Sequence, residues 1–229
     1  YAFTRGGSRA PAYNSIVAAG DNACILHYDR NDAEVKDGDL ILIDAGCEYK
    51  YYASDITRTF PANGTFNPQQ KAIYEIVLKA QDAAIEAVQP GAPWDAPHNA
   101  SVKVITQGLI KLGLIEGTLA KAIKAEAYRD FYMHRVGHWI GIDVHDVGDY
   151  KIDEKWRLLE PGMVTTIEPG IYIAPDNKRV PKKWRGIGVR IEDDVLVTKK
   201  GNRVLTTGIP KTVAEIEAFM AQAKQKRAA

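Results

Sequence analysis

The chain has 229 residues, enough for one large domain or two small ones with a substantial core. Hydrophobic content of 45% and charged content of 26% mark a globular protein rather than a disordered or fibrous one. With 30 Lys and Arg against 29 Asp and Glu, the net charge of +1 gives no field to draw nucleic acid, and no apolar run approaches the ~18 residues of a spanning helix, so neither a nucleic acid nor a membrane is expected as a partner.

The N-terminus carries no signal-peptide pattern, and the two cysteines, Cys24 and Cys47, are too few for a disulfide framework or a Cys-rich zinc site. They read as buried, reduced thiols of a cytoplasmic protein. The chain opens at Tyr1 without Met and runs into TRGGSRAPAYNS, which reads as a loop following an element that is absent. A piece of a longer product is expected.

From Asn14 to Phe60 the pattern is short strands and turns: SIVAAG, ACILHY, LILIDAG and YYASDITRTF, with turn signals at Gly20-Asp21-Asn22 and Asp37-Gly38-Asp39. Asp44 and Asp55 lie in the last two, each in an apolar run that disfavours Asp. Direct pairing across a hairpin puts the turn near Tyr49-Lys50 and the two Cβ atoms ~5 Å apart on one face. Carboxylates that close need a shared proton or a cation.

Next, Asn67, Pro68 and Gln70 open a helix in the manner of a capping box, with an apolar stripe of Ile73, Ile76, Val77, Ala80, Ala84 and Ala87 and a stop at Pro90-Gly91. A second helix runs from about Asp95 to Leu112 with Val102, Ile105 and Leu109 inward and Gly113 as its stop. A short third covers 119–126. HRVGHWIGIDVHD, MVTTIEPGIYI and GIGVRIEDDVLVT return to strand and loop. Thr212 and Glu215 form a capping box opening a lysine-rich, exposed C-terminal helix through Ile216, Phe219 and Met220. Strands, helices, then strands predict an α+β fold with a mainly antiparallel sheet, as one domain over 1–229.

Four acids sit among apolar neighbours in separate strand-like segments: Asp44, Asp55, Glu168 and Glu192. His138 and His145 lie in a fifth. Singly each has an ordinary explanation: Asp44 capping the turn at Gly46, Glu192 pairing with Arg190 or Lys183, a histidine satisfied in the core. Four unpaired buried acids together would cost several kcal/mol each. Two divalent cations remove that cost. An oxygen-rich set of two Asp, two Glu and one His suits Mn²⁺, Co²⁺ or Mg²⁺ better than structural zinc. His134 and His138 have i,i+4 spacing, but Arg135 stands where the His-Glu-x-x-His motif has its glutamate, and the following residues are not helical in pattern.

The segments NSIVAAGDNACILHY, LIDAGCEYKYYASDITRTFP, GHWIGIDVHD, IEPGIYI and RGIGVRIEDD closely resemble the catalytic domain of the aminopeptidase P family, among the pita-bread metallopeptidases shared with prolidase and methionine aminopeptidase. The likeness runs from about Tyr13 to Phe219. It implies a pita-bread α+β fold, a curved sheet flanked by helices, here N-terminally truncated and lacking the first helical pair. It implies two divalent ions, Mn²⁺ first and Co²⁺ or Zn²⁺ as alternatives, on Asp44, Asp55, His138, Glu168 and Glu192. Asp55 and Glu192 would bridge them, Asp44 would complete one site, and His138 with Glu168 the other.

Glu168 would also take the proton of the metal-bridging water. His27, His134 and His145 match substrate-site histidines, with His27 and His145 catalytic and His145 the expected donor to the leaving nitrogen. His134, Arg190 and Tyr172 would bind substrate. The implied reaction is hydrolysis of the bond between an N-terminal residue and a following proline. A prolidase-like Xaa-Pro dipeptidase and a non-catalytic binding module are the rivals. Peptides with proline second are the expected partners, along with an N-terminal fragment of the same protein or a second copy covering the face that the absent helices would leave bare.

Overall fold

The computed structural model describes residues 1–228, with side-chain surroundings through residue 223. A short helix α1 (Ala2–Arg5) and a strand β1 (Ala10–Pro11) lead into β2 (Ile16–Ala19), β3 (Leu40–Asp44), β4 (Cys47–Tyr49), β5 (Tyr52–Ala53) and β6 (Thr57–Pro61). Three helices follow, α2 (Pro68–Ala87), α3 (Ala96–Lys111) and α4 (Leu119–Lys124). The second β region comprises β7 (Lys151–Ile152), β8 (Lys155–Trp156), β9 (Val164–Ile167), β10 (Gly170–Ile173), β11 (Ile187–Arg190), β12 (Asp193–Thr198) and β13 (Gly201–Val204), before α5 (Val213–Ala228). The α+β order is as expected. All strand pairs are antiparallel, in the orders β2-β3-β6, β10-β11 and β13-β12-β9.

The helix starts follow their sequence signals. The Asn67 side chain accepts from the amides of Gln69 and Gln70, and the Gln70 side chain accepts from the Asn67 amide, a reciprocal cap worth ~1 kcal/mol. Thr212 and Glu215 exchange the same pair of bonds before α5. Helix α2 buries Ile73, Tyr74, Val77, Ala80 and Ala84 and packs on β10 and β11, while α3 buries Val102, Ile105 and Leu109 and packs on α2, in one core with Ile171, Ile173, Val189 and Ile191. This core backs the strands that carry the candidate site.

Two local expectations are corrected. Asp44 opposes Thr57, not Asp55. The turn lies one step further on, at Lys50-Tyr51, where both residues have positive φ (52° and 65°) between paired Tyr49 and Tyr52. That is a primed two-residue turn built without glycine, so the usual signal for its position is missing. Asp55 is thereby a diagonal neighbour of Asp44, and Gly46 faces it: a Cβ there would lie 1.6 Å from the Ser54 carbonyl oxygen.

ACILHY is not a strand. Gly20–Cys24 forms a 3₁₀ turn, and Ile25 is half exposed. The turn lies against β11, where a Cβ on Gly188 would come within 2.1 Å of the Ala23 carbonyl oxygen. The thiols of Cys24 and Cys47 are half-buried rather than fully buried, and unpaired. Among the described residues no helix is long and apolar enough to cross a membrane.

Candidate active site

The two β regions meet where β6 faces β11. The Thr59 hydroxyl donates to the Arg190 carbonyl (2.9 Å), and the Glu192 amide donates to the Thr57 carbonyl (3.1 Å). On one side of this seam opens a cavity of about 370 Å³. It is lined by Asp44, Asp55, His138, Glu168 and Glu192, and also by His27, His134, His145 and Arg190. All the sequence-predicted residues except Tyr172 therefore face one space, and Tyr172 stands directly behind its wall.

Each side chain is delivered by a strand end or a loop. Asp44 closes β3, Asp55 precedes β6, Glu168 lies between β9 and β10, and Glu192 lies between β11 and β12. His138 sits in a loop pinned to β9, its amide donating to Thr166 Oγ1 (3.1 Å) and its carbonyl accepting from the Thr166 amide (3.0 Å). The loop conformation agrees with the rejection of a helical zinc motif. Because a carbonyl only accepts, His138 Nδ1 must carry the proton it gives to the Trp139 carbonyl (2.9 Å). Nε2 then faces Asp55 Oδ2 and Glu168 Oε1, both at 3.5 Å.

Asp55, His138 and Glu192 bring ligand-type atoms within 4.8 Å of one another. Burial, reinforced by the neighbouring carboxylates, pushes Glu168 up to about 7 and Glu192 well above the usual carboxylate range. Burial also raises Asp44, against the lowering pull of Arg190. For Asp55 the cost of burial is outweighed by hydrogen bonds from His138 and Tyr13, so its carboxyl stays low. His138 is raised, because its bond to Asp55 and the charge of Glu168 exceed the opposing effect of burial. A divalent cation among these oxygens would reverse the penalty on every acid at once. The donor set is oxygen-rich, with one imidazole oriented by a backbone carbonyl, which fits such an ion.

Arg190 starts a directed chain behind the acids. Its guanidinium donates to Asp44 Oδ2 (2.7 Å) and to the Tyr172 hydroxyl (3.1 Å). That hydroxyl lies 2.9 Å from His134 Nε2, and His134 Nδ1 lies 2.7 Å from the Arg135 carbonyl. Arginine only donates and the carbonyl only accepts, so Tyr172 donates to Nε2 and His134 is the Nδ1–H tautomer. Burial, with Arg190 nearby, lowers His134 to about 3. Its 3.9 Å approach to Glu168 is accordingly not an ion pair. Arg190 engages Asp44 rather than Glu192, which instead accepts the Thr57 hydroxyl at 2.6 Å. His27 and His145 stand exposed at the cavity mouth, with the His145 ring edge-on to His138 at 4.3 Å.

Three residues here escaped the sequence reading. The Tyr13 hydroxyl lies 2.5 Å from both Asp44 Oδ1 and Asp55 Oδ1. Thr57 holds Glu192. Asp194 Oδ2 accepts from the Asp55 amide (3.2 Å), while its Oδ1 is buried without a partner among the described residues. Strand alternation was an available signal for Asp194, since it shares a face with Glu192. Tyr13 lies in a loop with no pattern to betray it.

Antiparallel strands backed by helices, with carboxylates and an imidazole gathered at their seam, define a pita-bread domain of metallohydrolase type. The chain belongs to metallopeptidase family M24, whose model matches residues 1–199. It is similar to the solved aminopeptidase PepP of Pseudomonas aeruginosa, at 67% identity and a TM-score of 0.96, over 97% of this chain and 50% of that one. It is 56% identical over 218 residues to an Xaa-Pro aminopeptidase of Haemophilus influenzae, covering 95% of this chain and 50% of the relative. It is 40% identical to the Xaa-Pro dipeptidase of Homo sapiens, over 96% of this chain and 51% of that protein. The chain thus spans about half the length of the relatives it matches.

Proposed function

We propose that residues 1–229 form the catalytic domain of a metal-dependent Xaa-Pro aminopeptidase, which releases the N-terminal residue from peptides with proline second. The carrying observation is the convergence of Asp55, His138 and Glu192, with ligand-type atoms within 4.8 Å, in a cavity also lined by Asp44 and Glu168. These five would hold two divalent ions, Mn²⁺ in first place. When bound, the ions would supply Lewis acidity and make a water acidic enough to lose its proton near neutral pH.

Glu168, whose carboxylate lines the cavity 3.5 Å from His138 Nε2, accepts that proton. His134 and Arg190 line the cavity and would meet the substrate, and Tyr172 supports them from behind the wall through its hydroxyl. His145 and His27 line the exposed mouth of the cavity, and His145 is our assignment for the proton donor to the departing proline nitrogen. A bond before proline is a tertiary amide without N–H, so a site that acts on the carbonyl handles it better than one that grips the backbone amide.

Likeness to the human dipeptidase favours a second reading, cleavage of Xaa-Pro dipeptides. Comparing a dipeptide with a longer Xaa-Pro peptide separates the two. For the main reading, Asp55→Asn should abolish Mn²⁺-dependent release of the N-terminal residue from an Xaa-Pro-Xaa peptide; full activity in that variant would show that the site lies elsewhere. The half-buried free thiols suit a reducing, cytoplasmic location. An N-terminal part of the same protein, or a second copy, is the proposed partner of this chain, which spans about half the length of the relatives it matches. A stable, soluble 25 kDa monomer in size-exclusion chromatography would sink that idea.

A further inference from the structure

Glu192 and Asp193 are chain neighbours that face opposite sides of the sheet. Glu192 looks into the cavity, while Asp193, 1% exposed, looks into the layer beneath α2. There Asp193 Oδ1 accepts from Arg58 Nη2 (2.7 Å) and the Thr206 hydroxyl (2.7 Å). Its Oδ2 accepts from Gln81 Nε2 (3.1 Å) and Lys211 Nζ (3.1 Å). The four donors come from β6, α2 and the segment between β13 and α5.

Arg58 then reaches back. Its Nη1 donates to the carbonyls of Thr57 (2.9 Å) and Glu192 (2.5 Å). On the cavity side, the Thr57 hydroxyl donates to Glu192 Oε2 (2.6 Å), and the Glu192 amide donates to the Thr57 carbonyl (3.1 Å). Backbone amide, backbone carbonyl and carboxylate of Glu192 are therefore all fixed by two consecutive residues of β6. One of those two is oriented by Asp193.

A buried ion pair is weak evidence for stability, since an apolar filling often does as well. What an apolar filling cannot supply is a fork that ties a carboxylate to a carbonyl at a set angle. Asp193 is satisfied by four donors, which locks the fork in turn. We propose that the Arg58–Asp193 pair is a positioning device for Glu192, setting the metal affinity of the cavity from the far side of the sheet. This inference rests on the metallopeptidase reading above. Positioning partners of metal ligands typically change affinity 10–100-fold when altered.

The test is titration of the metal-stripped 229-residue chain with Mn²⁺, followed by calorimetry and by the electron paramagnetic resonance of the bound ion. Arg58→Lys keeps the charge and one bond to Asp193 but loses the fork. It should weaken Mn²⁺ binding 10–100-fold and broaden the bound-ion spectrum while circular dichroism stays unchanged. Lys211→Met, at a part-exposed site remote from the cavity, should give a smaller loss in the same direction. Val102→Ala in the α3 core should lower stability without moving Mn²⁺ affinity. Wild-type affinity in folded Arg58→Lys protein overturns the proposal, as does wild-type affinity in Lys211→Met should Arg58→Lys not fold. If the unaltered chain binds no divalent ion, the metallopeptidase reading falls and the positioning role with it; retained binding with unmoved variants overturns the positioning role alone.

Discussion

Arg190 and Asp44 meet at 2.7 Å in the cavity wall, and both are nearly excluded from solvent, Arg190 being 3% exposed and Asp44 8%. The same guanidinium holds the Tyr172 hydroxyl and, through Nε, the Thr57 hydroxyl (3.3 Å). Removing the cation would leave a buried carboxylate uncompensated, which costs about 3–5 kcal/mol. Arg190→Gln should therefore lower the unfolding free energy by that order in urea with chelator present. Arg190→Lys, which keeps the charge but serves fewer partners, should lose less. Equal, small losses in both variants would mean that Asp44 finds another partner.

Tyr13 has one proton and two carboxylates at 2.5 Å, Asp44 and Asp55. Its hydroxyl favours their charged forms, so its removal raises their protonation range. A hydrogen bond to a charged group is worth ~1.5–3 kcal/mol, or roughly one to two pH units. Metal binding needs the deprotonated acids. Tyr13→Phe should then shift the acid limb of Mn²⁺ binding to higher pH by about that amount, measured by titrations between pH 5 and 8. An unmoved limb would show that the hydroxyl is not coupled to the acids.

The helices were legible because their signals are local. Asn67 with Gln70, and Thr212 with Glu215, carry start signals within four residues, and both boxes form as read. The hairpin register was not legible, because Lys50 and Tyr51 adopt positive φ without glycine or asparagine to announce it. ACILHY is apolar enough to suggest a strand, yet its first two residues close the 3₁₀ turn Gly20–Cys24, which lies close against Gly188 of β11, a contact that no local signal records. The acids could be picked out singly, as charges in apolar runs. Asp194, two residues from Glu192 on the same face, was open to the same alternation argument, whereas Tyr13 joins the acids only once distant segments meet, and chain spacing holds no record of that.

His98, buried near the start of α3 with Nδ1 unpartnered, is pushed down to about 4, first by burial and then by the charges of Arg135 and Arg129. The folded value lies below the ordinary 6.5, so the unfolded chain binds the proton first as pH falls. The stability this residue contributes is intact above about pH 6.5 and is lost as pH falls through about 4, at most roughly 3 kcal/mol. His98→Gln should flatten the dependence of unfolding free energy on pH across that window. The same slope in wild type and variant would exclude His98 as a source of acid sensitivity.

Divalent ions should stabilise the chain as well as activate it. Asp55, Glu168 and Glu192 crowd one another in the cavity, and the folded state alone gathers their oxygens around a single space. An ion that binds only the folded state adds about 2.7 kcal/mol at 100 times its Kd. At ~2–4 °C per kcal/mol for a chain of this size, Mn²⁺ should raise Tm by roughly 5–11 °C over chelator-treated protein. Asp55→Asn takes one carboxylate from the set that also holds His138 and Glu192, so its own Tm should move little on adding Mn²⁺. Scanning calorimetry of both proteins, with and without the ion, makes the comparison. An equal Tm rise in the two would place ion binding outside the cavity.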